Sequence, residues 1–314
     1  MPKLQGIEEK YINGIKVDKE NDICFFNDET HKYYNKQDMQ PYISVTQLIG
    51  EYTQPFQEDF WSAYKALEEI VDGDVFSILK KTLLDTKKFD PRILVKFNID
   101  QLKFEKERQR ILAEWQTKKD EACEHGSQQH LIKELSFYGR NDFNLSKYGF
   151  NDCVGHYDCK ENYYKLDLDR GVYPEFLMAI DYKGLRISGQ ADLIVKNGND
   201  IYIGDWKTNK ELKTSSYYDK KKKSNVMMKF PLNKIQDCAL GHYTCQLSLY
   251  GFMIQQINPN LNIKQLELIH IDRDGKETLY PVEYKKYDIE RMLNHYIKQQ
   301  KIQKELNKLK PVEI

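Results

Sequence analysis

The spacing of apolar residues along the chain changes near residue 170. Before that point, apolar positions recur every three or four residues over 58–84 and again over about 99–135, which predicts amphipathic helices. Gly126 interrupts the second stretch, so we expect two helices that meet near His125 and Gly126 instead of one long helix. Over residues 23–34, two aromatic runs flank a polar tetrapeptide and indicate a small hairpin.

Beyond residue 170, the apolar runs are short and rich in β-branched and aromatic residues. Three such runs, separated by turn-forming segments rich in Gly, Asn and Asp, predict a β-meander; they cover residues 172–180, 184–195 and 200–206. The elements expected after the meander are a helix over 235–257, a hairpin of strands 266–271 and 277–282, and a terminal helix over about 288–309. This order predicts an α/β fold in which helices flank a sheet.

Composition narrows the class of protein further. The 314 residues are 40% apolar and 31% charged, with 48 basic and 48 acidic side chains, which excludes a strongly basic coat protein and an acidic disordered tail. A nucleic-acid enzyme is still compatible with zero net charge, because a basic groove can balance an acidic pocket. No apolar run is long enough to cross a membrane and the N-terminus lacks a signal-peptide core, so we expect a cytoplasmic protein with no membrane partner.

Two further features of the composition concern cysteine and lysine. The six cysteines are scattered along the chain and are interpreted as reduced thiols. The polar stretch 210–229 contains four consecutive lysines, Lys220 to Lys223, and is expected to form an exposed insertion. These lysines and those of the terminal helix either contact a phosphate backbone or form an ordinary solvated surface.

Two carboxylates interrupt runs that are otherwise apolar. Asp192 lies in the second predicted strand of the meander and Asp205 in the third. Burial of an unpaired carboxylate costs several kcal/mol, so each needs a strand end, a cation or a metal ion. Lys207 extends from the same face of its strand as Asp205. Two carboxylates and a lysine on paired strands suit a hard cation and a phosphodiester, although a surface hairpin with a salt bridge is the alternative explanation.

Five short motifs resemble those of the PD-(D/E)xK nuclease superfamily, and within it the RecB-like and phage-type exonucleases. In chain order they are Gly126-Ser-Gln-Gln-His130, Tyr173-Pro-Glu-Phe176, Gly189-Gln-Ala-Asp192, Asp205-Trp-Lys207 and Gln246-Leu-Ser-Leu-Tyr250. A D-x-K motif alone occurs by chance in many proteins. The five motifs in the order typical of the family, over residues 126–250, are a specific signal.

The resemblance implies a role for each of these motifs. The catalytic residues that it implies are Glu175, Asp192, Asp205 and Lys207. The ligands of a Mg²⁺ or Mn²⁺ ion would be His130, Glu175, Asp192, Asp205 and the backbone carbonyl of Trp206. The substrate contacts would be Ser127, Thr208, Gln246 and Tyr250. The implied activity is metal-dependent exonuclease hydrolysis of DNA that is single-stranded or has a free end.

The resemblance also implies a fold. We expect one nuclease domain over residues 1–314, with a central mixed β-sheet flanked by helices as in restriction endonucleases. The hairpin and helical region 1–125 would lie over the active site, 126–285 would form the core, and 286–314 would form the C-terminal helix. A phage-encoded protein of this kind would act in the cytoplasm of its bacterial host.

Two other functions stay open at this point. A non-catalytic nucleic-acid-binding or virion-assembly protein could retain the fold, although the complete set of Asp192, Asp205 and Lys207 argues against it. The third hypothesis is a structure-specific endonuclease of the same superfamily. Iron–sulfur relatives place cysteines after the Q-x-x-x-Y helix, whereas no cysteine follows Tyr250, so we expect no such cluster. A Walker-type phosphate loop is also missing from the sequence, so any helicase or recombination partner would be a separate protein.

Overall fold

The computed structural model of the chain describes residues 10–137 and 170–308. Its helices are α1 (Val45–Gly50), α2 (Glu58–Ile70), α3 (Gly73–Thr86), α4 (Arg92–Lys96), α5 (Gln101–Leu135), α6 (Ala239–Ile257) and α7 (Lys286–Lys308). Its strands are β1 (Lys10–Ile12), β2 (Ile15–Val17), β3 (Lys19–Glu20), β4 (Cys24–Asn27), β5 (Lys32–Asn35), β6 (Pro41–Ser44), β7 (Gly171–Tyr182), β8 (Leu185–Asn197), β9 (Asp200–Lys207), β10 (Tyr218–Asp219), β11 (Ser224–Asn225), β12 (Asn262–Ile271) and β13 (Glu277–Val282).

The largest sheet in the described part of the chain is mixed and has nine strands. Its order is β13-β12-β9-β8-β6-β5-β4-β3, with β7 paired to β8. Strands β7, β8 and β9 pair antiparallel in sequence order, which confirms the predicted meander. The predicted hairpins also form, as β4 with β5 and β12 with β13. Strand β12 runs parallel to β9, and β6 runs parallel to β8. The predicted α/β fold class, with helices flanking a central mixed sheet, is therefore confirmed.

Strand β8 has two different partners on one of its edges. On that edge β8 pairs with β6 at Ile187 and Ser188, and with β9 from Leu193 to Asn197. On its opposite edge β8 pairs with β7 over nearly its whole length. Residues 189–192 lie between the pairings with β6 and β9, so the sheet forks at this point. We refer to the opening between β6 and β9 as the fork.

Both faces of the meander are covered by apolar side chains, which explains its long apolar runs. On one face, α1, α6 and α7 pack against the sheet and bury residues such as Leu48, Phe252 and Met292. On the other face, Leu193 and Val195 pack in a second cluster with Trp206. Helix α1 begins after Ser44, whose side chain accepts a hydrogen bond from the Gln47 N–H group and caps the helix.

The chain divides into two compact units. One comprises Met1–Gln54 with Gln129–Ile314 and contains the sheet. The other is Pro55–Gln128, whose helices surround a separate apolar core that includes Phe60, Leu67 and Phe104. Whether the helical region 1–125 covers the site therefore stays a prediction. None of the helices in residues 10–137 and 170–308 is long and apolar enough to span a membrane.

The expectation of two helices meeting near His125 and Gly126 is wrong. Helix α5 runs without a break from Gln101 to Leu135. A glycine inside a helix costs only about 1 kcal/mol relative to alanine, and thirty-five residues of otherwise helical sequence outweigh that cost. The continuous helix links the two units and carries His130 on its last turns.

Helix α6 also begins later than the apolar pattern suggests, at Ala239 instead of residue 235. The preceding residues form turns, with hydrogen bonds from Ile235 N–H to Leu232 O and from Cys238 N–H to Gln236 O. Cys238 and Cys245 are buried free thiols, as is Cys24, whereas Cys123 is exposed. The two remaining cysteines, Cys153 and Cys159, lie outside the described residues.

Replacement of Gly189 should test the packing at the fork. A Cβ atom at this position would lie 2.9 Å from both Tyr250 Cε1 and Val45 Cγ2, and both of these side chains are buried. We expect Gly189→Ala to lower the free energy of unfolding by about 1–3 kcal/mol, because overpacking forces a shift of the neighbours. Urea denaturation measures the change.

Gly73→Ala is the matched control for this substitution. A Cβ atom at Gly73 meets nothing within 4 Å, and the residue begins α3. This variant should be as stable as the original protein or more stable by less than about 1 kcal/mol. Equal stability of Gly189→Ala and the original protein would contradict the tight packing of α6 on β8.

Candidate metal centre

Two carboxylates face each other across β7 and β8. The pairs Pro174 with Leu193 and Phe176 with Ala191 place Glu175 directly opposite Asp192. Like charges in such a cross-strand pair destabilise a sheet. Glu175 also has φ of 50°, in the left-handed region, which costs about 1–2 kcal/mol for a residue with a Cβ atom. Local strain combined with like charge is typical of a functional site.

His130 from α5 lies against both of these carboxylates. Its Nδ1 atom is 3.3 Å from Glu175 Oε1 and 3.6 Å from Asp192 Oδ1. Its Nε2 atom is 3.1 Å from the backbone carbonyl oxygen of Trp206 on β9. Ligand atoms of His130, Glu175 and Asp192 all lie within 4.8 Å of one another. A side chain from the helical end of α5 thus closes the site over the sheet.

The electrostatic surroundings shift the pKa values of all three groups. Burial and the charge of Asp205 raise the pKa of Asp192 to about 8. Burial lowers the pKa of His130, but Glu175 and Asp192 outweigh burial and raise it to about 9. Burial alone would raise the pKa of Glu175, but its hydrogen bond with His130 and the charge of Lys19 outweigh burial and lower that pKa. The raised pKa of His130 favours a protonated imidazole at neutral pH, which places a positive charge beside the two acidic groups.

Asp192 also replaces a ladder contact that is lost at the fork. Its Oδ2 atom accepts a hydrogen bond of 2.8 Å from the Trp206 N–H group. The regular pairing of β8 with β9 ends at Leu193 and Gly204, so this N–H group would otherwise lack its strand partner. The hydrogen bond fixes the carboxylate and holds β9 beside β8 where the strands diverge.

Asp205 is completely buried next to this pair and has its own partners. Its Oδ2 atom is 2.6 Å from Lys207 Nζ, and its Oδ1 atom accepts a hydrogen bond of 3.1 Å from Gln246 Nε2. Gln246 Nε2 also lies 3.3 Å from the hydroxyl oxygen of Tyr250. Gln246 and Tyr250 are themselves buried, so in this structure they support Asp205 from α6.

The ammonium group of Lys207 lies between Asp205 and an aromatic ring. Lys207 Nζ is 4.8 Å from the ring centre of Tyr243, close enough for a cation–π interaction. The Tyr243 hydroxyl donates a hydrogen bond to Asn209 Oδ1, and Asn209 O lies 2.7 Å from His270 Nε2. Burial lowers the pKa of Lys207, but the charges of Asp205 and Asp192 outweigh burial and raise it.

The residues present suit a divalent cation. An imidazole nitrogen and two carboxylates converge, and the carbonyl oxygen of Trp206 lies beside His130. Mainly oxygen ligands with one imidazole are compatible with Mg²⁺ or Mn²⁺. The cluster could hold a metal ion, because its ligand atoms all lie within 4.8 Å of one another. Asp205 lies next to this cluster with its carboxylate already paired to Lys207.

The remaining residues proposed from sequence lie nearby in the chain but in different surroundings. Ser127 is exposed on α5, one turn before His130, and Thr208 is half-buried directly after β9. Their role as substrate contacts stays a prediction. Pro174 lies in an edge strand, because β7 pairs only with β8 among the described strands, and an edge position tolerates a residue without an N–H group.

Three residues of the site are missing from the sequence-based set. Gln190 donates a hydrogen bond to Glu175 Oε2, and its position two residues before Asp192 on the same strand face was an available signal. Tyr243 lies three residues before Gln246, which places both on one face of α6. Lys19 on β3 is 3.5 Å from Glu175 Oε2 and 3.7 Å from Glu134 Oε2, and no local pattern links it to residues so distant in sequence.

The solved structures compared with this chain below are only weakly similar to it. No family model matches the chain, and no curated protein matches it. Among solved structures, SSO0001 is similar, at 21% identity and a TM-score of 0.24, over 41% of this chain and 50% of that one. A candidate exonuclease from Eubacterium rectale is 12% identical, with a TM-score of 0.30, over 81% of this chain and 76% of that one. The chain thus spans half of SSO0001. TM-scores as low as these two do not assign a function to the chain.

Metal binding can be tested without any assay of activity. After EDTA treatment and dialysis, addition of Mg²⁺ or Mn²⁺ should raise the thermal midpoint, because a ligand that binds only the folded state stabilises it by about 2.7 kcal/mol at roughly 100 times its Kd. Asp192→Asn should abolish this increase. Differential scanning fluorimetry over a metal series measures both.

The substitution is designed to leave the fold intact. An asparagine oxygen can still accept the hydrogen bond from the Trp206 N–H group while one charge of the cluster is removed. Asp274→Asn, in the exposed turn between β12 and β13, is the matched control and should respond to metal like the original protein. An equal metal response in Asp192→Asn would show that the ion binds elsewhere.

Proposed function

We propose that this protein is a metal-dependent deoxyribonuclease that hydrolyses phosphodiester bonds at single-stranded DNA ends. The observation that carries the proposal is the convergence of the half-buried His130 and Glu175 with the buried Asp192, next to Asp205 and the ammonium group of Lys207 that pairs with it. This arrangement combines a site for a hard cation with a fixed positive charge, the two features that phosphodiester hydrolysis requires. The resemblance of the sequence motifs to PD-(D/E)xK exonucleases supports the same activity.

The proposed cofactor is Mg²⁺ or Mn²⁺, held by His130, Glu175 and Asp192, with Asp205 and the Trp206 carbonyl beside them. When bound, such an ion lowers the pKa of coordinated water and neutralises charge on the phosphate. The protein's own contribution is to hold the ligands rigidly. The Trp206 N–H group fixes Asp192, and Gln190 fixes Glu175.

Lys207 is proposed to stabilise negative charge in the transition state. Its pKa is raised by Asp205 and Asp192, so the side chain stays protonated and does not act as a general base. Its ammonium group is held by Asp205 at 2.6 Å and by the Tyr243 ring. A pre-oriented cation needs no rearrangement when charge develops on the phosphate oxygens, which is the source of its catalytic effect.

The first test is a panel of DNA substrates. We expect Mn²⁺-dependent, EDTA-sensitive cleavage of end-labelled single-stranded DNA, slower cleavage of blunt duplex, and no cleavage of circles. Lys207→Met should reduce kcat by about 10²–10³, as expected for loss of one group that stabilises developing charge. Lys264→Met, on the exposed face of β12, is the matched control and should leave kcat unchanged.

The same panel separates the alternatives. Cleavage of circular DNA would favour a structure-specific endonuclease. Binding of DNA without cleavage in the original protein would favour a non-catalytic nucleic-acid-binding or virion-assembly protein. Full activity of Lys207→Met would contradict the proposed role of the lysine.

A second test addresses the aromatic ring beneath Lys207. Tyr243→Phe retains the ring and should keep kcat within about twofold, whereas Tyr243→Leu removes the cation–π interaction and should lower kcat by about 2–30-fold, the range that corresponds to its usual strength. Steady-state kinetics on single-stranded DNA measures both variants. If the two behave alike, the ring does not position the ammonium group.

A further inference from the structure

A lysine-rich hairpin projects from the connection between β9 and α6. It consists of β10, β11 and the turn that joins them, and all four turn residues, Lys220 to Lys223, are exposed lysines. We call residues 217–225 the lysine hairpin. In the described part of the chain, Lys220, Lys222 and Lys223 form no salt bridge. Three exposed ammonium groups without an ion pair stabilise the chain little unless an anion binds to them.

The turn nevertheless has a defined backbone. Asp219 Oδ1 accepts hydrogen bonds from the N–H groups of Lys221, at 2.9 Å, and Lys222, at 3.2 Å. A side-chain oxygen that accepts from the residues following it is a common way of fixing a tight turn. The lysine side chains therefore extend from a backbone of fixed conformation.

Hydrogen bonds join the base of the lysine hairpin to Gln236, which lies just before α6. Gln236 Oε1 accepts hydrogen bonds of 3.0 Å from Ser216 N–H and from Asn225 Nδ2. Gly241, in the first turn of α6, allows the Gln236 backbone to approach so closely that a Cβ atom would clash with it. Gln246, which contacts Asp205, lies two helical turns along the same helix. The hairpin thus has a fixed position at the end of the helix that supports the candidate metal centre.

Two exposed aromatic rings lie beside these lysines. Tyr217 is 66% exposed and Tyr218 is 51% exposed. Tyr217 directly precedes β10, and Tyr218 is the first residue of that strand. Exposed aromatic rings next to lysines are typical of surfaces that bind single-stranded nucleic acid, where bases stack on rings and lysines contact phosphates. In a duplex the bases are already stacked on one another, so the rings would gain nothing there.

We propose that the lysine hairpin is a binding surface for the backbone and bases of a single-stranded nucleic acid. This inference rests on the proposed nuclease function for its biological meaning, since the bound strand would extend towards the candidate metal centre. Binding itself needs no metal ion and no cleavage, so the two proposals can fail separately.

The experiment measures the affinity of the full-length protein for fluorescein-labelled oligothymidylate by fluorescence anisotropy, in EDTA, over a series of salt concentrations. Each phosphate contact with a single strand contributes about 0.7 to the slope of log K against log salt. Replacement of Lys220, Lys221, Lys222 and Lys223 by Gln should therefore reduce the magnitude of the slope by up to about 2.8.

A second fourfold variant is the matched control for charge. It replaces Lys298, Lys301, Lys304 and Lys308, all exposed on α7, by Gln and so changes the net charge equally. Its slope should stay close to that of the original protein. Equal reductions in the two variants would show a general charge effect and would overturn the proposal, as would an unchanged slope in the hairpin variant.

The tyrosines supply a readout that is independent of charge. Tyr217→Ala with Tyr218→Ala should lower the affinity by about fivefold or more without changing the salt slope, because stacking does not release counterions. Tyr217→Phe with Tyr218→Phe should restore the affinity. An equal loss of affinity for blunt duplex, or a loss of binding to phosphatidylserine vesicles with unchanged oligonucleotide binding, would overturn the assignment to single strands.

Discussion

The opposition of Glu175 and Asp192 across two paired strands is the constraint on which the site depends. Ionisation of two carboxyl groups this close, one of them buried, requires a compensating positive charge, and the fold places His130 against both of them. Lys19 contributes a second positive charge beside Glu175. Positive charge close to the pair therefore stabilises it, and a divalent ion would provide more charge at that point than an imidazole does. The cross-strand repulsion that would destabilise an ordinary sheet is thus a physical reason why this cluster could hold a metal ion.

The fork in the sheet explains how this pair can be reached. A continuous strand beside residues 189–192 of β8 would cover the carboxylates with backbone, but β6 and β9 each end their pairing on either side of this segment. The Asp192 carboxylate takes over the lost backbone contact to Trp206, and Gly189 admits the Tyr250 ring beside it. Strand topology, a glycine and a helix aromatic thus act together to leave one polar position of an apolar sheet without a neighbouring strand on one edge of β8.

The parts of the site that sequence predicts are those encoded by local periodicity. Asp205 and Lys207 share a strand face because they are two residues apart, and the strands around them form as their alternation and turns predict. The orientation of Glu175 depends on a left-handed backbone that its residue type does not signal. Lys19 reaches the site only through the tertiary fold. The predicted break at Gly126 is wrong, because the free-energy cost of one glycine in a helix is small compared with the stabilisation from the hydrogen bonds of a continuous α5.

The lysines of this chain differ in burial, and burial determines how strongly salt weakens their attraction for an anion. Lys207 is enclosed by Asp205 and Tyr243, so its charge has a fixed position and is little affected by salt. Lysines on an exposed turn such as Lys220 to Lys223 interact through water, and their attraction for an anion weakens as salt is added. Equal totals of acidic and basic residues conceal this separation. A neutral chain can therefore combine a cluster of acidic groups in the fold with a basic turn on its surface.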